Sequence, residues 1–537
     1  MRSAGALHRL LDVLPAFDGD NRVSTRFTLV PGSRFDVDAL SALERAGIRT
    51  LSWDEALRTR HDLVLAASPK GPVGQLPGLR ALLPHGAGFN KTVAEDGSPG
   101  VPSGLDPHYL LTEGEPWADL HAVAHEEQVS RLAHHCPGTA HRAAVVGDPT
   151  LDRLLSSVPL RTDYRAALGT GPRRLVVLSS TWGPESLLAR RPELPADLSA
   201  LLPHDSFQLA LVLHPNEYSG SGSFDLSRWL APALAAGLVL PRPYEEWAAL
   251  LVAADAVVTD HGSTALYAAA LGRPVINAYD GGHELLADSP MGRLLAAAPP
   301  LATAADLPDA LQASLAVATR DYAADAFAQR GQALPLLQRH LYRMLGLRPP
   351  ARPLEARAFP VPSAAPSQPR AFAVRAEVSG DRVTVERFPV HTTEFVHHVA
   401  AEYPGAGLRQ VQSATVLWRR APDPVSHTPA TAWTAEGWTA HVLAEAPGCR
   451  TAVAVLTRTR CLLRHRTTGL ISLRWEPHKD AGRVTYPDPG AVASAVHAWL
   501  GGNATRILPV SLLCDTGPVT VRVRLAAAST DDLDYEL

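Results

Sequence analysis

The run Ala256-Val-Val-Thr-Asp-His-Gly-Ser-Thr-Ala-Leu-Tyr-Ala-Ala-Ala-Leu-Gly-Arg-Pro-Val-Ile276 contains a complete strand–turn–helix–strand unit. A β-branched strand ends at Asp260 and Gly262 permits a tight turn. Ser263 or Thr264 caps a helix, which stops at Gly272 before Pro274 opens the next strand. Such a turn leaves first-turn amides unpaired. With the positive helix end, worth about 0.3–1 kcal/mol per facing charge, they make an anion site suited to a diphosphate. The hydroxyls of Ser263 and Thr264 add donors there. The same residues also read as a plain helix cap, with His261 a solvated loop residue.

Working outward, apolar strand-like runs alternate with amphipathic helical windows throughout the first 347 residues, the rhythm of α/β units with parallel sheets. The strands expected are Phe27 to Val30, Ile48 to Leu51, Leu63 to Ala66, Ala81 to Pro84, Ala143 to Val146, Leu175 to Leu178, Leu209 to Leu213, Ala256 to Thr259 and Val275 to Ala278. Helices are expected over Asp36 to Ala46 and Tyr244 to Ala253. A soft boundary at Arg161 to Arg174 divides this region into two Rossmann-like units, 1–160 and 161–347. Seven prolines in 348–370 read as an extended linker. Beyond it, β-branched alternation marks a smaller α+β domain, 371–537, with at least four strands and a helix over Pro489 to Leu500. The acidic end, Asp531 to Leu537, reads as frayed.

Open α/β sheets bind ligands beyond the carboxyl ends of their strands, so the polar residues there are the candidates. In Leu209-Ala-Leu-Val-Leu-His-Pro-Asn216, His214 directly follows a strand, where an imidazole can donate to a phosphate oxygen. In Leu82-Leu-Pro-His-Gly-Ala-Gly-Phe-Asn-Lys91, a strand is followed by His85, Gly86, Gly88 and Lys91. His85 is the candidate general base, a role worth about 10²–10⁴-fold. Lysine is rare here: Lys70, Lys91 and Lys479 are the only three. Two lesser windows share the pattern. One runs from Val145 to Asp152; the other places Ser180, Thr181 and Trp182 after a strand, within reach of phosphate or ribose, with Trp182 also readable as an interface plug. His121 and His125 stand four apart but lack a third ligand, so no metal site is assigned.

Composition bounds the rest. The chain has 537 residues, is 46% hydrophobic and carries a net charge of −4, which suits several packed cores and excludes global disorder. No dense basic block supplies a nucleic-acid surface. The four cysteines are far apart without a C-x-x-C pair, which fits a reducing, cytoplasmic setting. No apolar run is long enough to span a bilayer, and the first residues do not form a secretory h-region. The P-loop, the dinucleotide fingerprint and the nucleophile elbow are all missing.

The order His85-Gly86 with Lys91, Thr181-Trp182, His214-Pro215 and Asp260-His261-Gly262-Ser263-Thr264 resembles the CDP-glycerol glycerophosphotransferases that build teichoic acid polymers, which are GT-B-type transferases. More distantly it is similar to nucleotide-sugar epimerases. The resemblance covers about residues 60 to 290; Ala87 and Gly88 replace the family's Thr-Pro, and His261-Gly262 replace its Tyr-Ser. It implies two Rossmann-like domains in a GT-B arrangement and a metal-independent transferase without a cofactor. His85 would take the acceptor's proton; His214, Thr181, Asp260, His261, Gly262, Ser263 and Thr264 would hold a nucleotide-diphosphate donor; Gly86 and Lys91 would line the cleft. The implied partners are a nucleotide-activated polyol or sugar and a hydroxyl acceptor, with peripheral membrane contact and a protein partner on 371–537 left open. The alternatives are a glycosyltransferase or epimerase and a nonenzymatic binding scaffold.

Overall fold

The computed structural model describes the chain apart from residues 33–39, 41, 42, 45, 84–86, 93–96, 99, 243–245, 364–367, 390–395, 423–430 and 504. Its first sheet aligns Leu63–Ala66, Leu79–Leu82, Leu120–Val123 and Ala143–Val145 in that order, all parallel. Its second runs Phe207–Leu213, Arg174–Ser180, Ala256–Thr259, Val275–Asn277, again all parallel. Parallel strands are covered on both faces and so need near-continuous aliphatic sequence. Leu175, Val176, Val177, Leu178, Val257 and Val258 meet that need and are fully buried.

The strands follow the aliphatic runs, with two departures. Phe27–Thr28 and Thr50–Leu51 are shorter than expected and pair with each other in a separate parallel ribbon. Leu120–Val123 was not foreseen, because His121 interrupts a run of only four residues and leaves no readable period. The helical window from Asp36 to Ala46 lies largely outside the described residues, and the second window forms Glu246–Ala253. In the deciding stretch, the helix Thr264–Ala270 ends as the sequence predicts. Gly272 adopts φ +71°, its N–H reaches Ala269 O at 2.8 Å and Arg273 N–H reaches Ala268 O at 2.9 Å, the paired closure that a left-handed residue allows.

Helix Ala333–Met344, placed by the sequence within 161–347, packs instead on the first sheet: Leu334, Leu337 and Leu341 share a core with Leu10, Val13, Ala81 and Ala122. The proline-rich segment forms no helix or strand among its described residues, yet it is not a free linker. Phe359 is buried beside Trp247, its N–H donates to Ser157 Oγ at 2.8 Å, and its carbonyl accepts from the Tyr164 hydroxyl.

The C-terminal region is more closed than expected. Nine strands, Ala371–Ser379, Arg382–Pro389, His398–Glu402, Val416–Arg420, Thr451–Thr457, Arg460–His465, Gly469–Trp475, Val510–Thr516 and Val519–Ala527, form a closed barrel. Helix Pro489–Asn503 fills it; every residue from Pro489 to Leu500 is buried. The acidic end is docked, not frayed, with Leu537 1% exposed and its N–H on Trp433 O at 2.9 Å, while buried Asp532 faces Arg460 and Arg474. The buried Arg387 guanidinium ties the barrel to the second sheet through Asp205, at 2.6 and 2.8 Å. All four cysteines are buried and free. Among the described residues, no helix is long and apolar enough to cross a membrane.

Candidate functional site

The carboxyl ends of both sheets open on one cavity of about 810 Å³, a size typical of small-molecule sites. The second sheet contributes Ser180 to Pro184, Leu213 to Asn216 and His261 to Thr264; the first side contributes Leu82, Leu83, His121, Ser68 to Lys70 and Gly88 to Lys91. Six basic side chains line it, Arg2, Arg9, Lys70, Lys91, Arg153 and Arg242, against the carboxylates of Asp12 and Glu284, with Asp148 paired to Arg9 behind the wall. The wall therefore favours an anion.

Asp260 organises the rim without facing the cavity. It is fully buried; Oδ2 accepts the N–H groups of Thr181 and Leu187, both at 2.8 Å, and Oδ1 accepts Gly262 N–H at 2.9 Å. Asp260, expected to help hold the donor, is not among the residues lining the cavity, and its carboxylate positions three main-chain N–H groups at the rim. Gly262 is needed for space, since a Cβ there would lie 3.1 Å from both Thr181 Cβ and Asp260 Oδ1. Ser263 sits at the N-cap position with αR backbone and makes no side-chain cap bond, which corrects the expected cap and leaves its half-buried hydroxyl in the cavity wall beside Thr264.

His214 is the N-cap of helix Pro215–Trp229, and its Nδ1 accepts Asn216 N–H at 3.1 Å. That bond leaves the ring proton on Nε2, the nitrogen able to donate. Trp182 lies 6.2 Å from the His214 ring, and Lys91 Nζ stands 5.5 Å above the Trp182 ring. Trp182 is therefore part of the cavity wall. Lys91 also pairs with Glu284 at 3.3 Å, and the same carboxylate holds His261 Nε2 at 2.9 Å. Burial would raise the Glu284 carboxyl, but His261 and Lys91 outweigh it and hold it below its ordinary value. His261 is buried, not solvated, and its Nδ1 has no hydrogen-bond partner. Next to it, Thr92 N–H donates to Glu284 O at 2.8 Å and Leu286 N–H to Asn90 O at 3.0 Å, so main chain from the two sides joins at the cavity edge.

The sequence-predicted residues Thr181, His214, His261, Gly262, Ser263, Thr264 and Lys91 are thus brought together. His85 and Gly86 lie outside the described residues. His121 and His125 do not share a helix face: His121 is on a strand and His125 caps the next helix through Nδ1. His121 lines the cavity, and burial pushes it down to about 4, so it is neutral at pH 7.

Sequence reasoning missed the cavity's far wall. Gly5, His8, Arg9 and Asp12 line it from helix Ala4–Val13. Their i, i+3, i+4, i+7 spacing is a polar stripe that could have been found. Arg9 Nη1 donates to Asp148 Oδ1 and Oδ2 at 3.1 and 3.0 Å, and the Tyr267 hydroxyl donates to Asp148 Oδ2 at 2.9 Å. Lys70 was also missed; burial, then Arg2 and Lys91, push its ammonium down to about 8. Among the described residues, the ligand-type atoms of Glu185, His261 and Glu284 lie within 4.8 Å of one another, but Lys91 already balances charge there.

No family model and no curated protein matches this chain. Solved structures similar to it include the wall teichoic acid polymerase TagF, at 12% identity and a TM-score of 0.44, covering 63% of this chain and 84% of that one. UDP-GlcNAc 2-epimerase from Neisseria meningitidis, bound to UDP-GlcNAc, is similar at 11% identity and a TM-score of 0.41, covering 64% and 97%. A putative UDP-N-acetylglucosamine 2-epimerase from Listeria monocytogenes is similar at 14% identity and a TM-score of 0.42, covering 66% and 97%.

Proposed function

We propose that this chain is an enzyme that binds a nucleotide-diphosphate donor in the cavity and moves a polyol phosphate or sugar from it to an acceptor hydroxyl. The observation that carries this reading is the cavity itself, with cations and hydroxyls around space at the carboxyl rims of two parallel sheets. The second sheet supplies the cradle for the diphosphate. His214 Nε2–H, the Ser263 and Thr264 hydroxyls and Lys91 face the same space and offset the charge of the leaving nucleotide. Asp260 keeps the Thr181 and Gly262 segments in register, so these donors are in place before the ligand arrives.

For a CDP-polyol, the acceptor oxygen attacks the distal phosphorus and its proton passes to His85. The bond from that phosphorus to the bridging oxygen breaks, and CMP leaves with the electron pair. For a nucleotide sugar the same cradle serves, with attack at the sugar carbon. The test is product analysis with CDP-glycerol, CDP-ribitol and UDP-N-acetylglucosamine. Turnover of one donor, abolished by His85→Ala while nucleotide affinity stays within severalfold, is expected. Full activity in His85→Ala removes the base assignment, and no nucleotide binding by the intact chain removes the whole reading.

A further inference from the structure

Strand Leu120–Val123 of the first sheet carries one residue that its surroundings do not call for. Leu120 and Ala122 pack into the core on one face of the sheet. Side chains alternate along a strand, so His121 points to the other face, where its register neighbours are Leu82 and Ala143. The core on that face is aliphatic and aromatic, with Ala66, Leu82, Phe89, Leu105 and Leu132. A leucine would complete it, yet the position holds an imidazole that is 3% exposed. The ring makes no hydrogen bond or ion pair with any described residue, and burial keeps it neutral at pH 7. Burying a polar ring without a partner costs stability. Such a local conflict belongs where a ligand answers it.

What the ring meets is the cavity, whose wall here is His121, Leu82, Phe89, Ser103 and Gly104. These five are contiguous. Leu82 adjoins His121 in register, Phe89 shares the core of Leu82, and Gly104, at φ +92°, approaches the Phe89 ring so closely that a Cβ would stand 3.3 Å from it. Ser103 is fixed by its N–H, which donates to Lys91 O at 2.8 Å, and its hydroxyl has no partner among the described residues. An imidazole of this kind offers one donor and one acceptor nitrogen, and the serine hydroxyl offers both roles on one atom. Hydroxyl groups on a carbon chain match that set, while Leu82 and Phe89 cover the C–H surface. None of the five side chains carries a charge to answer an anion.

We propose that His121 and Ser103 bind an uncharged hydroxylated carbon group, that of a polyol or sugar, against Leu82 and Phe89. That this group is the reacting end of the acceptor rests on the transferase reading, in which the base, His85, follows Leu82 by three residues in sequence. His121 is then a positioning residue for the acceptor, and the proton still passes to His85.

The test is NMR of the full chain labelled with ¹⁵N in its histidine rings, the His121 signals being assigned by their loss in His121→Leu. The probes are glycerol, ribitol and N-acetylglucosamine, with inorganic phosphate as the anionic contrast. At least one uncharged probe is expected to shift the His121 signals saturably, and phosphate to leave them in place. Saturation transfer to that probe is expected to show affinity about tenfold lower in His121→Leu, the loss of one hydrogen bond, although this variant melts at a higher temperature than the parent. His121→Gln, which keeps a donor and an acceptor at similar reach, is expected to retain most of the affinity. Ser103→Ala is expected to weaken binding severalfold and keeps the test decisive if the His121 variants do not fold. No saturable shift with any uncharged probe overturns the proposal. So does a His121 shift driven by phosphate, or a probe affinity unchanged in His121→Leu and Ser103→Ala. CDP and UDP affinities are expected to stay within about twofold in these variants; failure of the parent chain to bind either nucleotide removes the transferase reading and leaves the result at His121 standing.

Discussion

The Asp260 carboxylate accepts the Thr181 backbone N–H at 2.8 Å, fastening the ends of two neighbouring parallel strands beneath the cavity. With Leu187 and Gly262, three main-chain donors depend on this one buried group. Asp260→Ala leaves them without a partner and is expected to destabilise the fold by about 2–4 kcal/mol, read from denaturant unfolding. Asp260→Asn keeps one accepting oxygen and is expected to lose less.

Gly262→Ala tests the close approach at the same rim. Its Cβ would stand 3.1 Å from Thr181 Cβ, so the strand end must shift. Overpacking of this kind costs about 1–3 kcal/mol. Weaker nucleoside-diphosphate binding is expected to accompany the lower stability, because the displaced segment carries Ser263 and Thr264. Calorimetric affinities of the variant and parent check this.

The deciding stretch was legible because everything it needs is local: a β-branched run, a turn glycine, and a helix stopped by Gly272. The gathering of Thr181, His214 and Ser263 followed from the rule that strand ends share one rim. The polar stripe carrying Arg9 and Asp12 was legible as one face of a helix, but its place at the cavity was not, because Arg9, Asp12, Lys70 and Arg153 reach it only through packing of distant segments. Barrel closure was hidden for a related reason. Alternation marks a strand, but the pairing of His398–Glu402 with Ala371–Ser379 that closes the ring has no local signature. The docking of Leu537 and the return of helix Ala333–Met344 to the first sheet likewise depend on contacts far along the chain.

Lys70 gives anion binding a pH dependence. Its ammonium, pushed down to about 8, loses its charge as pH rises from 7 to 9. Affinity for a nucleoside diphosphate is expected to fall about fivefold over that range, the size of one charge contact in a partly hydrated site. In Lys70→Met the affinity is lower at pH 7 and this component of the slope is gone. Titration calorimetry at the two pH values distinguishes them.

Acid destabilises the fold through neutral imidazoles, His121 buried and His204 half-buried. Burial pushes His121 down to about 4, and burial, with neighbouring charges, does the same to His204. The unfolded chain takes up these protons below its ordinary value near 6.5, while the folded chain resists until about 4. Their contribution is therefore complete above pH 6.5 and lost as pH falls toward 4, by at most about 3 kcal/mol for each. Unfolding midpoints at pH 7, 5.5 and 4 are expected to fall in that order.

The most direct measurement is a crystal structure of the full chain with CDP or UDP bound. The account predicts a diphosphate between the two sheets, its oxygens within hydrogen-bond distance of His214 Nε2 and the Ser263 hydroxyl. A nucleotide bound elsewhere, or a diphosphate turned away from both residues, would contradict it.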